Sequence, residues 1–191
     1  MKFFKYICYT CFIISIITSV TLNCLAATLA STETITIDNQ PNHTDRYTAN
    51  TGFSAIDSQN SYNNNAHICL VSSSNNDNNF RWGFQPQKTS YNPITVSVSA
   101  YLYYGAFTDE HAKYEIAELY SKEELLEPLG TLNQNTAIIG WNTVGSYTTL
   151  FSEPEDKYYM IQFVKLTPGN GMQPSYPKYC GADAVRFTFT Y

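Results

Sequence analysis

The chain has 191 residues, with 11 Lys and Arg against 16 Asp and Glu and a formal charge of −5. No basic run is visible, and this balance excludes a nucleic-acid partner, whose phosphates call for clustered positive charge. The length suffices for one domain with a sizeable core.

The first residues read as an export signal. Lys2 and Lys5 flank Phe3 and Phe4, an apolar stretch centred on Phe12-Ile13-Ile14-Ser15-Ile16-Ile17 follows, and small residues close it at Ala26, Ala27 and Ala30. This order of charge, apolar stretch and small residues predicts a secretory signal peptide over 1–26, with cleavage as late as Ala30. The competing reading is a retained anchor. A spanning helix needs about 20 apolar residues, and this stretch is interrupted by Thr10, Ser15, Thr18 and Ser19. Thr21-Leu22-Asn23 before Cys24 makes a poor lipobox. Cleavage leaves 27–191 as a single secreted, extracellular domain without a stable membrane span.

Of the five cysteines, Cys8, Cys11 and Cys24 fall in the leader, where the CxxC form of Cys8 and Cys11 carries no redox or metal meaning. Cys69 and Cys180 remain. One pair in an exported chain reads as one disulfide, worth about 4–5 kcal/mol for so long a loop.

Next in chain order, Thr34–Ile37 is a short strand, and 39–65 is polar and loosely structured around Asn39-Gln40-Pro41-Asn42 and Asn63-Asn64-Asn65. Asn42-His43-Thr44 is a glycosylation sequon, relevant only in a host that uses it. His67–Val71 and Phe80–Phe84 are further short strands, separated by the Asn-rich tract 72–79. The run 94–104 alternates with period two: Ile94, Val96, Val98, Ala100, Leu102 and Tyr104 oppose Thr95, Ser97, Ser99, Tyr101 and Tyr103. That pattern is a half-buried antiparallel strand. Segment 112–126 supports a strand through Tyr120 and then a turn or short helix at Ser121–Leu126, with Ser121 and Glu124 as a capping box. Ala137–Trp141, Ser146–Phe151 and Tyr158–Leu166 follow as strands. A Gly/Pro-rich connection, 168–181, then leads as a wide hairpin to Val185–Tyr191, where period two returns. These elements predict an all-β fold, a two-sheet antiparallel β-sandwich of immunoglobulin-like or jelly-roll-like type, tied by one disulfide.

Catalytic signatures are sparse. His43, His67 and His111 lie in no HExxH, the sequence has no Gly-x-Ser-x-Gly elbow, and no cofactor motif is present. Asp109-Glu110, Glu123-Glu124-Glu127 and Glu153-Glu155-Asp156 sit at turns, where solvated carboxylates are the ordinary reading. A glycosidase would need two of them across a cleft. The oxygens of Asn75–Asn79 suit Ca²⁺ chemically but lack the spaced loop form that binds it.

Aromatics are the remaining signal: 16 Tyr and two Trp, whose rings combine an apolar face with a polar handle. Tyr101 and Tyr103 fall on the polar side of the 94–104 strand, and Trp82 and Trp141 flank expected loops. Exposed rings there would stack on sugars, with nearby amides reaching hydroxyls; the competing reading buries both tryptophans. The expected function is a non-catalytic binding or cell-surface module for a polysaccharide or surface component. An extracellular hydrolase with a carboxylate pair, and a secreted toxin or assembling β protein, are the alternatives.

Overall fold

A computed structural model describes residues 30–39, 47–49, 52–57, 59–72, 77–84, 94–103, 107–120, 123–149, 162–169 and 176–191. Residues 1–26, expected as a leader, and Glu153, Glu155 and Asp156, expected at a turn, lie outside them. Period-two patterning accounts for the strands. In β6 (Ile94–Leu102) the residues Ile94, Val96, Val98, Ala100 and Leu102 are buried, while Thr95, Ser97, Ser99 and Tyr101 take the other face. In β12 (Val185–Thr190) Val185, Phe187 and Phe189 are buried in the same way. These two strands pair antiparallel and are flanked by β1 (Thr32–Ile37) and β9 (Gly140–Thr149), in the order β1-β12-β6-β9.

A five-stranded antiparallel sheet has the order β2-β5-β10-β7-β8, from Tyr47–Ala49, Phe80–Phe84, Gln162–Thr167, Ala112–Tyr120 and Glu123–Leu132. A smaller sheet joins β11 (Tyr179–Ala182), β4 (Asn65–Leu70) and β3 (Phe53–Asp57). The two larger sheets share one core. Phe84 of β5 lies 4.2 Å, ring to ring, from Phe187 of β12, and Trp82, Tyr114, Ile116, Val164 and Leu166 complete it against Ile37, Val96 and Phe189. The expected all-β antiparallel fold is what the chain adopts, with two sheets facing each other across this core and the third packed beside them.

Edge strands β8 and β9 meet backbone to backbone. Both carry one extra residue, Leu129 opposite Tyr114/Glu115 of β7 and Val144 opposite Val98/Ser99 of β6, where the register shifts. A Cβ at Gly130 would stand 2.4 Å from the Val144 carbonyl oxygen, and one at Gly145 would stand 2.2 Å from that of Leu129. Only glycine permits this approach.

Four expectations are corrected. Glu123–Leu132 is strand, not turn or helix; β8 is an edge strand, where Pro128 needs no ladder donor. The polar 39–65 segment contains β2 and β3, both at sheet edges, so neither needs a two-sided apolar pattern. The strand before 168–181 lies in the five-stranded sheet and β12 in the other, so no wide hairpin joins them. The expected disulfide is not formed. Cys69 and Cys180 are cross-strand partners in β4 and β11, yet both thiols are free. The Cys69 thiol donates to the Leu70 carbonyl and accepts from Asn78 Nδ2 at 3.3 Å, so its sulfur is engaged elsewhere.

Candidate functional site

The outward face of the four-stranded sheet is a carpet of small hydroxyls. Register aligns Thr34, Thr188, Ser97 and Ser146 in one rung across all four strands, and Thr32, Thr190, Thr95 and Thr148 in the next. Neighbouring strands lie about 4.8 Å apart, and the Thr95 and Thr148 hydroxyls bond each other at 2.9 Å. β-Branched Thr suits an extended, half-solvated strand.

At one end of this face the hydroxyls give way to aromatic rings. Tyr101 of β6 stands directly opposite Trp141 of β9, with ring centroids 5.4 Å apart and an edge-to-face tilt of 78°. Tyr62 closes the triad, 5.4 Å from Tyr101 and 5.5 Å from Trp141. Arg186 of β12 lays its guanidinium over the indole of Trp141 at 3.9 Å, a cation–π contact. All four side chains are half-buried. Their polar tips, the two phenol hydroxyls, the indole N–H and the guanidinium, donate to no described protein group.

Tyr62 arrives from outside the sheet, on a single 3-10 turn, Tyr62–Asn64. Asn63 and Asn64 hold left-handed backbone there (φ 50° and 67°), a conformation Asn tolerates better than most residues. Two buried carboxylates anchor the turn. The Tyr62 amide donates to Asp183 Oδ2 at 3.0 Å, and Asn63 Nδ2 donates to Asp38 Oδ2 at 2.9 Å. Asn39 N donates to Asp38 Oδ1 at 2.7 Å. Behind them Trp82 Nε1 donates to Asn39 Oδ1 at 2.8 Å and to the Asp183 carbonyl at 3.2 Å.

The four aromatic residues singled out in the sequence therefore divide. Tyr101 and Trp141 come together on the outer face. Trp82 does not join them: it is 1% exposed, in the core between the sheets. Tyr103 is 6% exposed and packs on Phe107, 4.6 Å away, one residue beyond the end of β6, where strand parity no longer sets its direction. Sequence reasoning missed Tyr62 and Arg186. Tyr62 sits in a polar tract with no periodicity, but Arg186 shares the outward parity of Thr188 and Thr190 and was legible as a cation on that face.

No protein-family model matches the chain, and no curated protein matches it. Three solved structures are similar in part. The CBM22-2 xylan-binding domain of Paenibacillus barcinonensis Xyn10C is 10% identical, with 79% of this chain and 97% of that one covered and a TM-score of 0.46. The CBM22-1-GH10 modules of Clostridium thermocellum xylanase 10B, complexed with xylohexaose, are 14% identical over 76% of this chain and 25% of that one, at 0.38. The xylan-binding module CBM15 is 11% identical over 83% and 97%, at 0.31.

Asp109 and Glu110 have structural partners. Asp109 is buried, accepting from His111 N at 2.9 Å and from Gly169 N at 2.8 Å. Glu110 pairs with Lys178 at 2.7 Å, which holds its carboxyl below the usual range. Glu127 is exposed. Asp183 is different: burial, with the charge of Asp38 added, pushes its carboxyl up to about 8 against the opposing Tyr62 N–H bond. Burial also lowers His67, whose ring lies 5.0 Å from Phe80. Among the described residues no three His, Cys, Asp or Glu converge as metal ligands.

Proposed function

We propose that the protein is a secreted, non-catalytic module that binds polysaccharide across the outer face of the four-stranded sheet. One observation carries the reading. Three half-buried aromatic rings and a stacked arginine converge on that face with no polar tip donating to a described residue, at the end of an eleven-strong set of outward Ser and Thr, from Thr32 to Thr190. A sugar offers C–H faces to aromatic rings and hydroxyls to donors and acceptors, so it matches both parts at once. The surface charge is acidic overall, which suits a neutral ligand better than an anionic one.

A pull-down on insoluble polysaccharides (cellulose, xylan, chitin, mannan and cell-wall preparations) tests this. Retention of the parent and its loss in Trp141→Ala and Tyr101→Ala, with both variants folded by circular dichroism, is the expected outcome. Equal retention of parent and variants, or none on any matrix, overturns the reading.

A further inference from the structure

We propose that Asp38 and Asp183 form the protein half of a binding site for a hard divalent cation, Ca²⁺ by its chemistry, which locks the Tyr62–Asn64 turn in place. The two residues are brought together by the pairing of β1 with β12. Ile37 stands opposite Val185; Asp38 follows the one and Asp183 precedes the other by two residues. Both are buried, at 3% and 2% exposure.

Three of their four carboxylate oxygens are accounted for. Asp38 Oδ1 and Oδ2 accept from Asn39 N and Asn63 Nδ2, and Asp183 Oδ2 accepts from Tyr62 N. The fourth, Asp183 Oδ1, is fully buried and has no hydrogen-bond partner among the described residues. A buried carboxylate oxygen left unpaired is costly, and a second carboxylate close enough to repel it makes the cost larger. A cation bound at Asp183 Oδ1 would supply that missing partner and neutralise both charges. The side-chain donors are all oxygens, with no thiolate at the site, which favours Ca²⁺ over zinc-type ions. With only two carboxylates, backbone carbonyls and water must complete the shell, a composition Ca²⁺ accepts at the weak affinities of extracellular modules, about 0.1–1 mM.

The test uses the whole protein and no sugar, so it stands apart from the ligand question. Tb³⁺ serves as a luminescent Ca²⁺ substitute, sensitised by Trp82, whose indole N–H bonds the Asp183 carbonyl. Saturable emission displaced by Ca²⁺, together with a Tm several degrees higher in 10 mM CaCl2 than in EDTA, is expected. Asp183→Asn, a neutral variant of the same shape, should fold as stably in EDTA and lose both responses; Asp38→Asn should weaken them at least tenfold. An unchanged Tm between CaCl2 and EDTA, or Tb³⁺ emission that persists in Asp183→Asn, overturns the proposal. The first of these results would leave a protonated carboxyl in place of the cation.

Discussion

The Tyr62 amide donates to Asp183 Oδ2 at 3.0 Å, so a carboxylate buried at the end of the core fixes the turn whose side chain completes the aromatic face. Removing that acceptor should act on the face without touching it. Asp183→Ala leaves the Tyr62 N–H without its partner, and we expect polysaccharide affinity to fall several-fold while Tyr101, Trp141 and Arg186 remain intact. Retention assays on the folded variant read this directly.

Asp183 also makes stability depend on pH. Its carboxyl is raised from 3.8 to about 8 in the folded state, so between those values the folded protein holds a proton that the unfolded chain has released. Stability is therefore full below about 4, falls as pH rises through that window, and is flat above it. The upper bound of the loss is on the order of 6 kcal/mol. His67, lowered by burial, opposes this below the usual His range, because the unfolded chain there binds a proton that the folded ring refuses. Urea unfolding in EDTA from pH 5 to 9 should show the decline in the parent and a much flatter curve in Asp183→Asn.

The two tryptophans should behave oppositely. Trp82→Ala empties a core site and strips Asn39 Oδ1 of its donor, costing about 3–5 kcal/mol. Trp141→Ala removes ring contacts from a half-exposed cluster, costing about 1–2 kcal/mol, yet it should weaken ligand binding at least tenfold. Denaturant midpoints and binding isotherms separate the two effects.

Gln134 and Gly181 form a tight contact beneath Tyr114. The Gln134 amide donates to the Gly181 carbonyl at 2.9 Å and accepts from Gly181 N at 2.8 Å, as a neighbouring strand would. A Cβ on Gly181 would lie 1.8 Å from the Phe107 ring. Gly181→Ala should cost about 1–3 kcal/mol or more through overpacking. Gln134→Ala should cost about 2–4 kcal/mol by leaving two buried backbone groups unpaired. Thermal unfolding would check both.

Strand parity carried most of what was legible in the sequence. In Phe80-Arg81-Trp82-Gly83-Phe84 the odd one out is not Trp82: it shares its face with two phenylalanines, and that face is core. Tyr101 shares its face with Ser97 and Ser99, and that face is open. Parity failed where strands end or run along an edge. Tyr103 lies past Leu102, the last residue of β6, and Glu123–Leu132 is an edge strand whose pattern also fits helical spacing. Asp38, Asp183 and Tyr62 meet only through β1–β12 pairing and a left-handed Asn turn, relationships that no local pattern announces. Cys69 and Cys180 were rightly brought together by their isolation in the chain, but opposition across two strands did not make a bond.

The central claim is that a sugar chain seats on Trp141. The chain has two tryptophans, and Trp82 is sealed in the core away from that face, so a change in emission on adding a ligand reports on Trp141. Titration with soluble oligosaccharides of the retained polysaccharide should shift emission saturably in the parent and leave Trp141→Phe unchanged. The same shift in Trp141→Phe, or none in the parent at concentrations where it binds, would contradict the account.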